Sequence, residues 1–285
     1  MPFVIGAVVL VAALIVLYLL ALKPRPEPKT SVEPLRVDYA HRGLHGRDGA
    51  VENTMSAFRA ASEAGYGIEL DVRLSSDGEI VVFHDSTLER LCGIAKRVDE
   101  MTASELSWVD IRGTYEKIPL FADVLRSIDP STPLIIELKE EGRNTELCEK
   151  VAKMLDEYDG YFSVESFNPL MLNWFRKYRP RFVRGQLTTD LFKSGKNQSL
   201  FNKIGCKTMF LNFLSKPDYI SYDCRYPNYL SLKVCEKLYH ALMFTWCVDN
   251  EKDYSEAKAA GRIVIFQDYL PPSPKEARKS GYIRR

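Results

Sequence analysis

The sequence lacks an excess of charge of either sign. Its 285 residues include 39 Lys and Arg against 38 Asp and Glu, which gives a formal net charge of +1. Nucleic-acid-binding proteins usually carry a strongly positive patch or face. The balance therefore argues against a nucleic-acid partner, and nothing in the sequence points to a particular protein partner.

Closely spaced pairs of cysteines are also missing. The six cysteines are scattered along the chain, whereas zinc sites and small disulfide frameworks show characteristic short spacings. We therefore expect reduced thiols in the core rather than a disulfide scaffold or a structural zinc site. They are Cys92, Cys148, Cys206, Cys224, Cys235 and Cys247.

No basic residue precedes Lys23, although a cleaved secretory signal normally begins with positive charge. Residues 3–22 instead form an unbroken apolar run, which as a helix would be roughly 30 Å long, the thickness of a bilayer core. We predict a retained transmembrane helix at 3–22; a signal peptide and a buried core helix are the alternatives. Lys23 and Arg25 follow the run directly, so the positive-inside rule favours a cytoplasmic body.

The chain after the apolar run divides into a spacer and one globular domain. Residues 23–34 contain four prolines and are predicted to form a stiff, extended spacer that holds the body away from the membrane. Residues 35–285 are assigned to the domain, because 46% of the chain is hydrophobic and this is enough for a large core.

Strand and helix patterns alternate along this domain, which predicts parallel strands joined by right-handed crossovers. The strand at 80–83 follows the strand at 67–72 too closely for a helix to lie between them. A barrel built from these strands should therefore be irregular. Residues 86–117 are irregular and are predicted to be a loop-rich insertion. With a further strand assigned to 208–213, we count one or two strands more than an eight-stranded barrel needs.

Charged and polar residues cluster where the predicted strands end. Glu69 and Asp71 are two apart on one strand, and Glu137 and Lys139 are two apart on another, so each pair shares a face of its strand. Two like charges on one face are unfavourable unless a cation lies between them. Three carboxylates suit one hard divalent ion, Ca²⁺ or Mg²⁺.

Two histidines and an arginine accompany these acids. His41 and Arg42 follow the first strand, and His84 follows the third. A cation, positive side chains and two imidazoles can together hold a phosphate and transfer protons around it. Residues 52–54 are interpreted as a helix start, and Asp85 as a neighbour of His84 that points to the other side of the strand.

The motifs that carry these residues resemble the glycerophosphodiester phosphodiesterase family over residues 38–272. In order they are AHRG, ENT, GIELDV, SSDG, VVFHD, IP, IIELK, SF and TWCVDN. The resemblance implies an irregular TIM (β/α)8 barrel that hydrolyses glycerophosphodiesters to sn-glycerol 3-phosphate and an alcohol. Residues 266–268, Phe-Gln-Asp, depart from the Thr-Asp pair more usual in the family.

The resemblance also implies roles for eight residues. The metal ligands are Glu69, Asp71 and Glu137, the general acid and base are His41 and His84, and the substrate contacts are Arg42, Lys139 and Trp246. We favour His41 as base and His84 as acid. The attacking oxygen, from water or from a glycerol hydroxyl, stays open. A lysophospholipase D or phospholipase C acting on membrane lipids, and an inactive scaffold, are the rival functions.

Overall fold

The computed structural model of this chain describes residues 1–25, 32–47, 49–140, 142–193 and 198–274. Within these residues one sheet contains nine strands. In chain order, β1 to β9 are Tyr39–Ala40, Gly67–Leu74, Ile80–Val82, Leu134–Leu138, Phe162–Ser166, Arg184–Thr188, Tyr219–Asp223, Leu242–Val248 and Ile263–Phe266.

The sheet closes on itself as a parallel barrel. Strand β1 pairs in parallel with both β2 and β9, and parallel pairings join β2 to β4 and then each later strand to the next. Strand β3 lies outside the barrel wall, because among the described strands it pairs with β2 alone and runs antiparallel to it. The predicted TIM-type barrel is therefore confirmed. The irregularity is the added β2–β3 hairpin, and no crossover is missing there, because a helix at Phe121–Ser127 lies between this hairpin and β4.

Eleven α-helices are found in the described residues. In chain order, α1 to α11 are Pro2–Leu22, Met55–Ala64, Glu89–Cys92, Ala103–Ser107, Phe121–Ser127, Glu146–Asp156, Pro169–Tyr178, Leu200–Thr208, Asn212–Ser215, Leu230–Lys233 and Glu251–Ala259. A π-helical turn, Val234–Leu238, continues α10. Helix α2 begins as the sequence predicts, with Thr54 as its N-cap and Gly65 as a left-handed C-cap.

Alternate residues of the strands fill two different cores. Ile68 and Leu70 of β2 belong to the large cluster that also contains residues of the crossover helices. Tyr39, Tyr219 and Phe244 belong to another cluster, which the period of two along each strand places inside the barrel. Two glycines make room for the tyrosines: a Cβ on Gly67 would lie 2.5 Å from the Tyr39 ring, and one on Gly185 would lie 2.1 Å from the Tyr219 ring.

The predicted insertion, residues 86–117, has a small core of its own. Its apolar residues pack with Val81 and Phe83 around the end of the β2–β3 hairpin. Thr102 caps the short helix α4, accepting a hydrogen bond from the Glu105 amide while the Glu105 carboxylate accepts one from the Thr102 amide. The packing against Val81 and Phe83 attaches the insertion to the barrel next to β3.

The strand predicted at 208–213 is absent, and this corrects the strand count. Helix α8 ends at Thr208, Met209 adopts a left-handed conformation as its C-cap, and α9 starts at Asn212. The apolar side chains that favoured a strand serve tertiary packing instead, since Met209 is buried beside Leu22 of α1.

The first residues of the predicted spacer contact the barrel, so they do not form a detached linker. Residues 26–31 lie outside the described part of the chain. Arg25 donates its backbone N–H to the Pro217 carbonyl at 2.9 Å, and Lys216 Nζ donates to the Lys23 carbonyl at 2.9 Å. The end of α1 is therefore held directly against the barrel. Further along, Val32 is buried with the residues inside the barrel.

Candidate active site

Three carboxylates of the neighbouring strands β2 and β4 meet inside the barrel. Glu69 and Asp71 leave the same face of β2, and Glu137 is the register partner of Asp71 on β4. All three are buried, and one oxygen from each lies within 4.8 Å of the others. Burial and repulsion from Asp71 and Glu137 raise the pKa of Glu69 well above its usual range. The three acids thus carry more negative charge than their surroundings neutralise.

This group fits a divalent cation. An ion bound by three carboxylate oxygens belongs to the hard class, such as Ca²⁺ or Mg²⁺. Asp71 Oδ1 lies 3.0 Å from Lys139 Nζ but receives no well-directed hydrogen bond from any described residue. A buried carboxylate oxygen without such a bond suits metal ligation, because an unsatisfied buried anion is otherwise costly.

Two positive side chains border the acids. Lys139 Nζ lies 2.8 Å from Glu137 Oε1 as well as beside Asp71. Arg42 donates its backbone N–H to Glu69 Oε2 at 2.9 Å, and its Nε lies 3.4 Å from Asp71 Oδ2. Arg42 has φ 55°, so the chain turns sharply after β1 and its amide and its guanidinium both face the acidic group.

The segment 52–54 does more than start a helix. Asn53 Nδ2 donates to Asp71 Oδ2 at 2.7 Å, and Asn53 Oδ1 accepts from the Asp71 amide at 3.3 Å. Glu52 Oε1 accepts from Arg42 Nη1 at 2.7 Å. Thr54 alone acts as the cap. Asn53 and Glu52 therefore orient an acid and the arginine of the site, which the sequence interpretation missed.

His41 lies directly after β1 and is fixed through one ring nitrogen. Its Nδ1 donates to Gln267 Oε1 at 2.6 Å, which leaves Nε2 without a proton in the neutral ring. This Nε2 lies 3.9 Å from Glu69 Oε2. Burial and the Arg42 charge lower the pKa of His41 to about 3. Gln267 thus gives residues 266–268 a defined contact at the site.

His84 follows β3 and is held by a chain of ion pairs. Its Nδ1 lies 2.6 Å from Asp85 Oδ1, so Asp85 faces the histidine and does not point away from it as expected. Arg90 Nε donates to Asp85 Oδ2 at 2.5 Å, and its Nη1 and Nη2 donate to Glu52 at 2.9 and 2.6 Å. Although burial opposes the charge, hydrogen bonds from His84 and Arg90 lower the pKa of Asp85.

The chain of ion pairs joins the two halves of the site. It runs from His84 through Asp85 to Arg90 of α3, and from there through Glu52 to Arg42. Although burial opposes the charge, Arg90 and Arg42 lower the pKa of Glu52 to about 2. The insertion that carries Arg90 is thus tied to the acidic group inside the barrel mouth.

A fourth acid, Glu165, lies next to the acidic group. It is the register partner of Glu137 on the neighbouring strand β5, is 1% exposed, and accepts from the Tyr219 hydroxyl at 3.1 Å. Burial and repulsion from Glu137 raise the pKa of Glu165 to about 8. The sequence offered a signal for Glu165, because a charged residue stands there within a strand that also contains Phe162 and Val164. It occupies the same strand face as Ser163.

Trp246 of β8 packs its ring edge-on against Phe167, with the ring centroids 5.8 Å apart. Its indole N–H is buried without a partner among the described residues.

A separate cleft of about 320 Å³ opens beside His41 and is lined by residues 43–47 and 266–269. His45 is one of its lining residues, while His240, the remaining histidine, lies before β8 and away from the site.

Hydrolysis of a phosphate diester requires neutralisation of charge at phosphorus and proton transfer at the attacking and departing oxygens. A site for a cation, flanked by two histidines at the mouth of a parallel barrel, meets both requirements. The fold and the site therefore define a phosphoric diester hydrolase of the barrel class. The model of the glycerophosphoryl diester phosphodiesterase family matches residues 41–270. The chain belongs to this family, and its activity is hydrolysis of glycerophosphodiesters.

The chain is also similar to individual proteins of known sequence or structure. Lysophospholipase D GDPD1 of Rattus norvegicus is 27% identical over 83% of this chain and 84% of its own length. A glycerophosphodiester phosphodiesterase structure from Thermotoga maritima is 26% identical, with a TM-score of 0.63 over 81% of this chain and 93% of that one. An Oleispira antarctica phosphodiesterase shares the fold, with 22% identity and a TM-score of 0.68 over 85% of this chain and 96% of that one.

Proposed function

We propose that the site converts glycerophosphodiesters to sn-glycerol 3-phosphate and an alcohol with one divalent ion, Ca²⁺ or Mg²⁺, held by Glu69, Asp71 and Glu137. The observation that carries the proposal is the convergence of these three buried acids between two histidines that have different hydrogen-bond partners. The Oleispira antarctica structure, which contains the product sn-glycerol 3-phosphate, supports the choice of product.

The hydrogen bonds of the two histidines support opposite roles. Gln267 accepts the Nδ1 proton of His41, so Nε2 is available as the general base that removes a proton from the attacking hydroxyl. Asp85 accepts the Nδ1 proton of His84 and stabilises the imidazolium, which would then donate its Nε2 proton to the departing oxygen.

Three further residues would bind the substrate. Arg42 and Lys139 adjoin the acidic group and would contact non-bridging phosphate oxygens, for which a guanidinium fork and an ammonium are suited. Trp246 would form an apolar wall beside the glycerol or alcohol group. A divalent ion bound at the acids would withdraw negative charge from the phosphate and bring a glycerol hydroxyl close to it.

The test is a panel of glycerophosphodiesters assayed on the full chain with EDTA and with added Ca²⁺ or Mg²⁺. We expect hydrolysis to need a divalent ion, and His41→Ala and Glu69→Gln to lower kcat by at least about 10³-fold. His240→Ala is the matched control, because that histidine lies away from the site. Retained turnover in either site variant would overturn the mechanism.

The roles of the two histidines can be separated by the leaving group. A substrate with a p-nitrophenol leaving group needs little protonation on departure, so His84→Ala should lose much less activity on it than on a choline ester. His41→Ala should lose activity equally on both substrates. The reverse pattern would exchange the two roles.

A second candidate is lysophospholipase D activity on membrane lipids. Two observations favour it: the relative from Rattus norvegicus bears that name, and α1 is long and apolar enough to cross a membrane. The discriminating measurement is the ratio of kcat/KM for lysophosphatidylcholine and for glycerophosphocholine. A ratio above one would make the lysolipid the preferred substrate.

Membrane attachment through α1 belongs to the same proposal. Residues 2–17 of this helix are exposed, and a lone apolar helix exposed in this way needs a lipid surrounding. Lys23 and Arg25 support a body on the cytoplasmic side. Protease protection of the body in sealed vesicles tests the side, and extraction by carbonate tests whether α1 is an integral span rather than a cleaved signal.

A further inference from the structure

The last turns of α1 are built into the barrel. Leu22 is fully buried in the cluster that fills the space outside β7 and β8. Tyr18 donates its hydroxyl proton to the Thr208 carbonyl at 2.9 Å, and Tyr239 donates to the Leu19 carbonyl at 2.6 Å. The helix is therefore attached to the body on two sides, and the body cannot move away from the point where α1 leaves it.

Large apolar side chains are exposed on both sides of this point. On α8, Phe201 is 60% and Ile204 is 42% exposed, and Ile204 lies one helical turn before the carbonyl bonded to Tyr18. On the other side, Leu238 is 55% exposed and precedes the tyrosine bonded to Leu19. Phe213 is 44% exposed and belongs to α9, which packs against α1.

Basic residues surround the end of α1. Arg176 Nη1 donates to the Phe213 and Leu214 carbonyls at 2.8 and 2.9 Å, and Lys216 reaches the backbone of Lys23. Burial and the charges of Arg176 and Lys23 lower the pKa of Lys216. Several positive charges are thus held close together where a membrane helix would leave the hydrocarbon, which is the depth of anionic lipid headgroups.

We propose that this surface of the barrel lies in the headgroup layer of the bilayer that α1 spans. The docking face consists of Leu200, Phe201, Ile204, Phe213 and Leu238. Exposed leucine, isoleucine and phenylalanine next to lysine and arginine are typical of segments that enter the interface of an anionic membrane. The inference rests on the proposed membrane span of α1 and adds a second, interfacial contact made by the body itself.

The attachment of α1 makes this contact favourable. Because the helix already holds the body at the bilayer, insertion of the docking face is intramolecular and avoids most of the entropic cost of binding. Each apolar side chain removed from water then contributes about 25 cal/mol per Å² of buried surface. A second copy of the chain is the rival occupant, but the bilayer is favoured because the face surrounds the membrane helix.

Photolabelling of the full chain in nanodiscs of phosphatidylcholine and phosphatidylglycerol tests the proposal. A diazirine near the ester end of the acyl chain marks protein segments at the interface, and mass spectrometry locates the adducts. We expect adducts in α1 and also in the peptides that carry Phe201 and Leu238. Trp108 and Tyr115 provide the matched control: they are 79% and 103% exposed but belong to the insertion, so their peptides should stay unlabelled.

Different outcomes separate this inference from the proposal on which it rests. Adducts confined to α1 would overturn the docking face and leave the membrane span intact. An absence of adducts from α1 as well would overturn both. Cross-links between two copies, obtained with a photoreactive amino acid at position 201, together with no lipid adducts there, would assign the face to a protein contact and overturn the lipid proposal.

A double variant gives an independent readout. Phe201→Asp with Ile204→Asp should lower lipid adducts in the remainder of α8 at least fivefold and leave those in α1 unchanged. Turnover of a water-soluble glycerophosphodiester should also stay unchanged, since neither residue touches the site. Unchanged adducts in α8 would contradict the docking face.

Discussion

At the scale of single residues, the site depends on charges that are buried and then compensated. Three acids lie within 4.8 Å of one another, and Lys139 and Arg42 compensate only part of their charge. The same arrangement that destabilises the empty site favours a divalent ion, because the ion removes the repulsion. Residues that orient the acids should therefore affect metal affinity even where they are not ligands.

Asn53 provides a test of this expectation. Its amide group bonds both the carboxylate and the backbone of Asp71, and its φ of 57° is one that glycine also adopts. Asn53→Gly should keep the turn and weaken divalent-ion affinity about 10- to 100-fold, as measured by calorimetry. Asn144→Gly, which removes an exposed amide oxygen that accepts from the Glu146 N–H, is the control. Equal affinity in the wild type and in Asn53→Gly would contradict the assigned role.

The lowered pKa of Glu52 should make the free energy of unfolding depend on pH. Arg90 and Arg42 lower its pKa from 4.5 to about 2, against the effect of burial. Because the folded-state pKa lies below the unfolded value, the charged Glu52 stabilises the fold above about pH 5, and this contribution, on the order of 3 kcal/mol, is lost as the pH falls towards about 2.

The measurement is the melting temperature from pH 7 down to about pH 2. Glu52→Gln should lower the melting temperature near neutral pH and flatten its acid dependence, since the variant cannot lose a charge in that range. Glu63→Gln, at an exposed position of α2, is the control. An acid dependence as steep as that of the wild type would count against the ion-pair assignment.

At the scale of elements, the loop-rich insertion has a defined task at the site. Its short helix α3 carries Arg90, which bonds Asp85 beside His84 and Glu52 beside Arg42. The small core of the insertion packs against β3 and so fixes the position of that arginine. The hairpin and the insertion together precede the crossover helix α5 and bring His84 to the barrel mouth.

Replacement of Arg90 tests this task. Arg90→Met keeps the aliphatic volume but disconnects Asp85 from Glu52, so His84 should be less well oriented and kcat should fall about tenfold or more. Divalent-ion affinity should change little, because Arg90 does not contact the three acids. Arg97→Met, which removes an exposed ion pair with Asp99 in the same insertion, should leave both constants unchanged. A change in ion affinity without a change in kcat would contradict a positioning role.

At the scale of the whole molecule, the acidic group joins strands that are distant in sequence. Glu69 and Glu137 lie on neighbouring barrel strands, and Glu165 extends the acidic group to β5. Bound metal should therefore stabilise the closed barrel as a unit. Occupancy of such a site at about 100 times Kd contributes about 2.7 kcal/mol to the free energy of unfolding.

The melting temperature with and without divalent ions measures this contribution. Addition of Ca²⁺ or Mg²⁺ after EDTA treatment should raise the melting temperature by about 5 to 10 °C, the range expected for a domain of this size. Glu69→Gln should abolish most of the rise. An equal rise in the variant would show that the ion binds elsewhere.

Much of this protein followed from local patterns. The alternation of strands and helices, the cap at Thr54 and the pairs Glu69/Asp71 and Glu137/Lys139 are properties of short segments, so periodicity and capping chemistry reveal them. The strand assigned to 208–213 was wrong for the opposite reason. Met209 belongs to the same buried cluster as Leu22 of α1, and no short segment records packing across that distance in the chain.

The sequence by itself determined most of the strands and helices and which acids and histidines they carry, because these depend on period, spacing and residue type, and its family motifs implied the barrel. Only the tertiary structure decided that Gln267 and Asp85 each hold the Nδ1 side of one histidine of the site, and that Arg90 reaches it from the insertion. It also decided that α1 is attached directly to the barrel. The physical reason is that hydrogen bonds and packing between distant segments depend on how the closed barrel places them, and local propensity contains no information about that placement.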